Sequence, residues 1–281
     1  MNVLISSDST CDLSAALLAE HHIAVTPLYV NFDDVSKRDG VDCTGADILA
    51  FTERTGRLCT TAAVTIGDYT DFFGEMCEKY DAVVHFTISA EMSSCYQNAC
   101  AAAADYPGRV FVVDSRSVSG AIGLQLIRAA QDRDKGLSAE AIYENALARR
   151  AKIRVCFIPD TLDYLRKGGR CSALAALGAN VLKLKPFIEP VDGKLEVRKK
   201  YRGTLSRVLK DMVRDLLAEN ANVRTDLILV PHNLDDASVA EAVCAELNTL
   251  KTFERTEICP LGATVVSHCG GNTLGIVFEE A

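Results

Sequence analysis

Residues 81–132 read "DAVVHFTISAEMSSCYQNACAAAADYPGRVFVVDSRSVSGAIGLQLIRAAQD". A short apolar run, 82–88, breaks into serines, and a helix-compatible segment, 93–106, follows. The second apolar run, "RVFVVD" at 109–114, breaks into serines in the same way before the helical pattern of 117–132. Apolar runs this short suit strands covered on both faces. Strands that alternate with helices build a largely parallel sheet. Ser89, Ser93 and Ser94 gather where the first strand hands over to a helix. They read either as ordinary helix caps or as donors to something anionic.

The alternation extends outward. "NVLISS" (2–7) reads as a strand, "DLSAALLAEHH" (12–22) as a helix and "AVTPLYVNF" (24–32) as one further strand. "TGADILAFTERTG" (44–56) opens with Thr44 and Asp47 in capping-box spacing and stops at Gly56. "TIGDYTDFFGEMCEKY" (65–80) is another helix. Past residue 150 the rhythm changes. "IRVCFIP" (153–159) is a strand, "LDYLRKGGR" (162–170) a short helix ending in glycines, and "SALAALGANVL" (172–182) an apolar helix. Asp192-Gly193 separates two alternating stretches and signals a hairpin. A helix (204–220), a strand (225–232), a helix (237–250) and a last strand (274–280) complete the chain. The reading is α/β. An N-terminal domain, 1–155, has a mostly parallel sheet with helices on both faces, and a smaller α/β domain spans 156–281.

Composition narrows the function. The 281 residues carry 38 acids against 30 bases, a net charge of −8, which disfavours a duplex nucleic acid as partner. The eleven cysteines are odd in number, include no CxxC pair and sit singly in apolar patterns. Reduced thiols in a cytoplasmic protein are therefore expected, with neither a disulfide framework nor a structural zinc site. No apolar stretch reaches the roughly 20 residues that span a bilayer, so stable membrane insertion is not expected.

In open α/β sheets ligands lie beyond the carboxyl ends of the strands. Those ends carry "SSDSTCD" (6–12), "SAEMSS" (89–94) and "DSRSVSG" (114–120), with "CTTAAVT" (59–65) as a further hydroxyl-rich loop. Each loop alone reads as helix capping. Several converging loops read as neutral donors for a monoanionic group. No GxGxxG, GxxxxGK[ST] or GxSxG motif occurs. Of the five histidines, His21 and His22 end a helix, and His85 in mid-strand reads as core. His268 precedes a glycine pair in what reads as a flexible loop. The run "RKGGR" (166–170) is a helix end or a basic docking surface.

The series "SDSTCDL" (7–13), "EMSSCYQNA" (91–99), "VVDSRSVSGAIG" (112–123), "TLDYLRKGGRCS" (161–172) and "KLKPFIEPVDGKL" (183–195) resembles the DegV family, the fatty-acid-binding components of bacterial fatty acid kinase systems. That resemblance implies a two-domain protein enclosing one long-chain fatty acid in an apolar tunnel. The carboxylate would be held by Thr60 or Thr61, by Ser93 with the backbone of Ser94, and with help from His268. It further implies that Arg170 meets the ATP-binding subunit of the kinase, which converts the presented carboxylate to an acyl phosphate for phospholipid metabolism. The chain itself would be no enzyme and would have no cofactor, metal or catalytic residue. Departures occur at Thr60-Thr61-Ala62-Ala63-Val64, Ser93-Ser94 and Gly270-Gly271-Asn272, where the family usually has Thr-Ser-x-Pro-Ser, Ser-Gly and Gly-Pro-Gly. Two other readings stand beside this one: an acyl hydrolase or transferase with Ser93 as nucleophile and His268 as base, and a carrier of another amphipathic anion.

Overall fold

The computed structural model describes residues 1–171 and 184–281. The helix expected at 172–182 lies outside them. The chain begins with β1 (Val3–Asp8), a 3-10 turn (Ser9–Cys11), α1 (Ala15–Glu20), β2 (Ile23–Thr26), β3 (Tyr29–Phe32) and β4 (Val35–Arg38). There follow α2 (Gly45–Thr55), β5 (Thr60–Ala62), α3 (Ile66–Lys79), β6 (Ala82–Thr87), α4 (Cys95–Ala103) and β7 (Val110–Asp114). α5 (Gly120–Asp134), α6 (Ala139–Arg149), β8 (Ile153–Ile158), α7 (Asp163–Gly168), β9 (Leu184–Val191) and β10 (Lys194–Arg202) come next. The chain closes with α8 (Leu205–Glu219), β11 (Ile228–His232), α9 (Ala237–Leu250), β12 (Thr256–Pro260), α10 (Ala263–Cys269) and β13 (Leu274–Glu279).

The first sheet is wholly parallel, in the order β2-β1-β6-β7. Every residue of β1 and β6 is buried, which requires cover on both faces. A six-stranded sheet, β10-β9-β8-β13-β11-β12, is antiparallel except at β11–β12. A small antiparallel sheet, β4-β3-β5, completes the strands. Asp192 and Gly193 both take positive φ at the β9–β10 turn, as a two-residue hairpin loop demands.

Several expectations need correcting. The stretch 24–32 is not one strand. Pro27 has no N–H and restricts Thr26, so β2 stays on β1 while β3 leaves for the small sheet. His268 does not lie in a flexible loop; it occupies the last turn of α10. With seven residues, that helix is too short to show a period. β4, β5, α6 and β12 have no counterpart in the sequence reading. Residue 155, where the domain boundary was expected, lies inside β8, which pairs along its length with β13.

α5 joins the two large sheets. Twelve of its fifteen residues are buried, because it packs on β1 and β6 on one side and on β8, β11 and β13 on the other. Buried Arg128 on this helix donates to Glu279 at 2.6 Å and to Asp226 at 2.6 Å, tying α5 to the second half of the chain.

Three buried carboxylates gather beyond β1. Asp8 accepts from the Ile88 N–H at 2.7 Å. Asp12 accepts from Ser119 Oγ at 2.6 Å and from the Gly262 N–H at 2.8 Å. Asp39 accepts from the N–H groups of Ala263 and Thr264 at 2.8 and 3.2 Å, and from Ser9 Oγ at 2.9 Å. The first turn of α10 is thus held by two carboxylates from the N-terminal half. Burial pushes Asp12 up to about 8 and Asp8 up to about 6, against hydrogen bonds that favour the anions. Both folded values exceed the ordinary 3.8, so protonation favours the fold, and that contribution fades as pH rises through the folded pKa. Asp12→Asn keeps an acceptor for Gly262 and a donor for Ser119. Thermal unfolding should show the parent losing stability progressively between about pH 4 and 8 and levelling off above, with a flatter curve for Asp12→Asn. Parallel curves would mean that Asp12 is ionised throughout.

Candidate functional site

The two halves and the small sheet enclose a cavity of about 850 Å³, counted out to its open mouth. Its walls are mainly apolar, with Leu28, Ile88, Val118, Phe157, Leu195 and Leu261 contributing from six different segments. The polar groups are few: Thr61, Ser93, Ser119, Arg170, Thr264, His268 and Thr273.

Thr61 and His268 meet across the chain, with Thr61 Oγ1 2.8 Å from His268 Nε2. Burial, reinforced by the charge of Arg170, pulls His268 down to about 4, so the ring is neutral at neutral pH. Its Nδ1 is buried without a partner. A buried bare lone pair costs less than a buried bare N–H, which assigns the proton to Nε2. Nε2–H then donates to Thr61 Oγ1, and the threonine hydroxyl proton is left free to donate into the cavity. Gly168 makes this ring position possible: a Cβ there would sit 2.5 Å from Nδ1. The glycine of "RKGGR" is therefore explained by close approach as well as by a helix end.

Ser93 Oγ accepts from the Cys95 N–H at 3.3 Å and donates to Cys95 Sγ at 3.2 Å. It caps α4 while its proton rests on a weak acceptor that a better one can displace. Ser94 occupies the N-cap position with φ −81° and is exposed. Its backbone needs no left-handed shape despite standing where glycine is usual. Ser89 turns away and donates to Gly193 O at 2.7 Å. Thr60 is also outside the lining; its Oγ1 accepts from Asn31 Nδ2 at 3.3 Å. The structure therefore brings Thr61, Ser93 and His268 to one cavity and leaves Thr60 and Ser94 at its margin.

Arg170 is exposed yet lines the cavity, donating from Nη1 to Gly168 O at 2.8 Å. It stands at the mouth, as a cation within reach of both solvent and the polar end. Thr264 and Ser119 were not singled out in the sequence. Thr264 Oγ1 is buried and unpartnered. Ser119 holds φ at +60° with its hydroxyl on Asp12, a backbone shape that a non-glycine residue rarely adopts. For Ser119 the "DSRSVSG" loop was the available signal; Thr264 had none.

A serine hydrolase needs its nucleophile bonded to a base that a third group orients. Here His268 Nε2 is engaged with Thr61, and Ser93 with Cys95, so the pair required by that reading is not assembled. No group of side chains among the described residues could hold a metal ion. None of the eleven cysteines is in a disulfide. His85 is a core residue, with Nδ1 2.9 Å from Ser6 Oγ.

The family model described as "Uncharacterised protein, DegV family" matches residues 2–281. The chain belongs to the DegV family. A DegV domain-containing protein of Clostridium perfringens is 29% identical over 279 residues, covering 99% of this chain and 98% of that one. A DegV family protein from Thermus thermophilus, described by its fatty acid binding, superposes with a TM-score of 0.92 at 27% identity over the whole of both chains. A stearic acid-binding protein from Eubacterium ventriosum gives a TM-score of 0.84 at 27% identity, covering 98% of this chain and 97% of that one. Among the described residues no helix is long and apolar enough to cross a membrane.

The neutral ring and its neighbour glycine can be checked together. Nitrogen-15 NMR should show His268 as the neutral Nε2–H tautomer at pH 6, titrating only near pH 4. In Gly168→Ala the added methyl should displace the ring and break the bond to Thr61. A ring that titrates near 6.5, or one unmoved by Gly168→Ala, would contradict this geometry.

Proposed function

We propose that the chain binds one long-chain fatty acid in the apolar cavity and holds its carboxylate among Thr61, Ser93 and His268. The observation that carries this reading is the cavity itself: mainly apolar walls, a few neutral polar groups that include the Thr61–His268 pair, and a single lining arginine that is exposed. Relatives of the same fold that bind fatty acids support it. A dozen buried methylenes contribute on the order of 10 kcal/mol before ordering costs, at about 0.8 kcal/mol each. Each hydroxyl donor to the carboxylate adds about 1.5–3 kcal/mol. The tail sets affinity, and the donors set which end faces Arg170.

The carboxylate so placed lies near solvent beside a cation. An ATP-binding kinase subunit docking on Arg170 could take it as acceptor for phosphoryl transfer, supplying its own metal and phosphate-binding groups. The chain then acts as the substrate-presenting partner and needs no base. A neutral His268 fits that division of labour, since it orients Thr61 and removes no proton. Another amphipathic anion with a monoanionic head would satisfy the same donors, and the ligand's mass distinguishes the two.

Organic extraction of the purified protein followed by mass spectrometry should yield a fatty acid. The delipidated protein should take up palmitate or oleate stoichiometrically. Thr61→Ala and Ser93→Ala should each weaken binding by about 1–3 kcal/mol with little change in thermal stability. Arg170→Ala should keep its lipid but lose most acyl-phosphate formation with a cognate kinase. Absence of lipid and of uptake would end the proposal; parental affinity in both hydroxyl variants would place the head group elsewhere.

A further inference from the structure

Beside β8 lies a second recess, of about 1230 Å³ counted to open solvent, which shares only Val155 with the apolar cavity. Four arginines line it, each from a different segment: Arg116 after β7, Arg150 after α6, Arg154 on β8 and Arg198 on β10. Against them stand two lining carboxylates, Glu189 and Asp192. Glu280 and Glu196, outside the lining, pair with Arg154 at 3.0 Å and with Arg198 at 3.8 Å, so the positive charge most open to a ligand rests on Arg116 and Arg150.

Two of these arginines reach the recess through irregular backbone. Arg116 has φ +51°, in the left-handed region. Arg198 is the unpaired residue of the bulge between Val197 and Lys199, where the β9–β10 register shifts. Bulges and positive-φ residues re-aim side chains and persist where the surroundings enforce them. Here both deliver a guanidinium to the same place. Glu189, 10% exposed, lies between Arg154 at 2.8 Å and Arg198 at 3.2 Å and fixes the two side by side. Among the described residues Arg116 pairs only with Asp192, an 88% exposed carboxylate at 3.3 Å, a weak contact that a ligand can replace. Arg150 has no carboxylate partner among the described residues; its hydrogen bond goes to Asp114 O at 2.9 Å.

We infer that this recess is a second binding site, for a small phosphate-bearing anion. Guanidinium forks bind phosphate oxygens in pairs, and a tetrahedral group can accept them from several directions at once. A planar carboxylate would use only one or two of the four. The concavity suits a small molecule, since the acidic face of a folded protein would touch only the rim. The inference does not depend on the fatty acid proposal, because the lining of the recess contains none of the residues assigned to the carboxylate.

Titration of the full chain with inorganic pyrophosphate by calorimetry should show saturable binding to one site, weakening steeply as salt is raised. Arg150→Gln should weaken it tenfold or more. Arg150→Lys, which keeps the charge and loses the fork, should fall between. Arg198→Gln should match Arg150→Gln, whereas Arg57→Gln, an arginine far from the recess lining, should bind as the parent does. Fatty acid uptake and melting temperature should be unchanged in Arg150→Gln. The inference is overturned by no saturable binding, by parental affinity in Arg150→Gln, or by a response to polyglutamate alone.

Discussion

The first turn of α10 has N–H groups that no helical carbonyl can reach, and Asp12 and Asp39 supply their acceptors. A seven-residue helix is marginal on its own, so its position is set from outside. It leans on α2 so closely that a Cβ on Gly45 would come within 2.8 Å of Val266. It also carries Thr264, His268 and Cys269 into the cavity. Asp12 and Asp39 come from the N-terminal half and α10 from the C-terminal half, so the same contacts that close the two halves also aim the histidine. Asp12 in addition holds the Ser119 hydroxyl, which opens α5, the helix shared by both sheets. "SDSTCDL" is in this sense a clamp, and its carboxylates serve the site from behind.

Much of the fold was legible because the strands of the first sheet are short apolar runs and the helices between them begin with recognisable caps. The capping box at Thr44 and the Asp192-Gly193 turn appear where their chemistry places them. What escaped has a common physical cause. β4 is mostly exposed, β5 has three residues and α10 seven, so none shows a period against its background. Pro27 is a strand breaker by its chemistry, but the apolar residues on both sides of it read as one continuous strand.

The site was legible by chemistry more than by geometry. A concentration of hydroxyls at strand ends suggested an anion, and Thr61 and Ser93 do face the cavity. Sequence could not say that Thr60 points away, because strand phase in a three-residue segment has no internal check. Nor could it say that Gly168, 100 residues before His268, would be the surface on which that ring rests. Pairings at such separation are set by the closure of the whole chain. The arginine recess is a further instance: its four guanidiniums come from segments that only the tertiary fold brings together.

The orientation of the bound chain is the central claim, and isotope-edited NMR on the protein loaded with carbon-13 palmitate tests it directly. The account requires contacts from the C2 protons of the ligand to the His268 ring, to the Thr61 methyl and to Ser93, and none from its terminal methyl to these three groups. Contacts between the terminal methyl and His268, with the carboxyl end among the leucines, would contradict it.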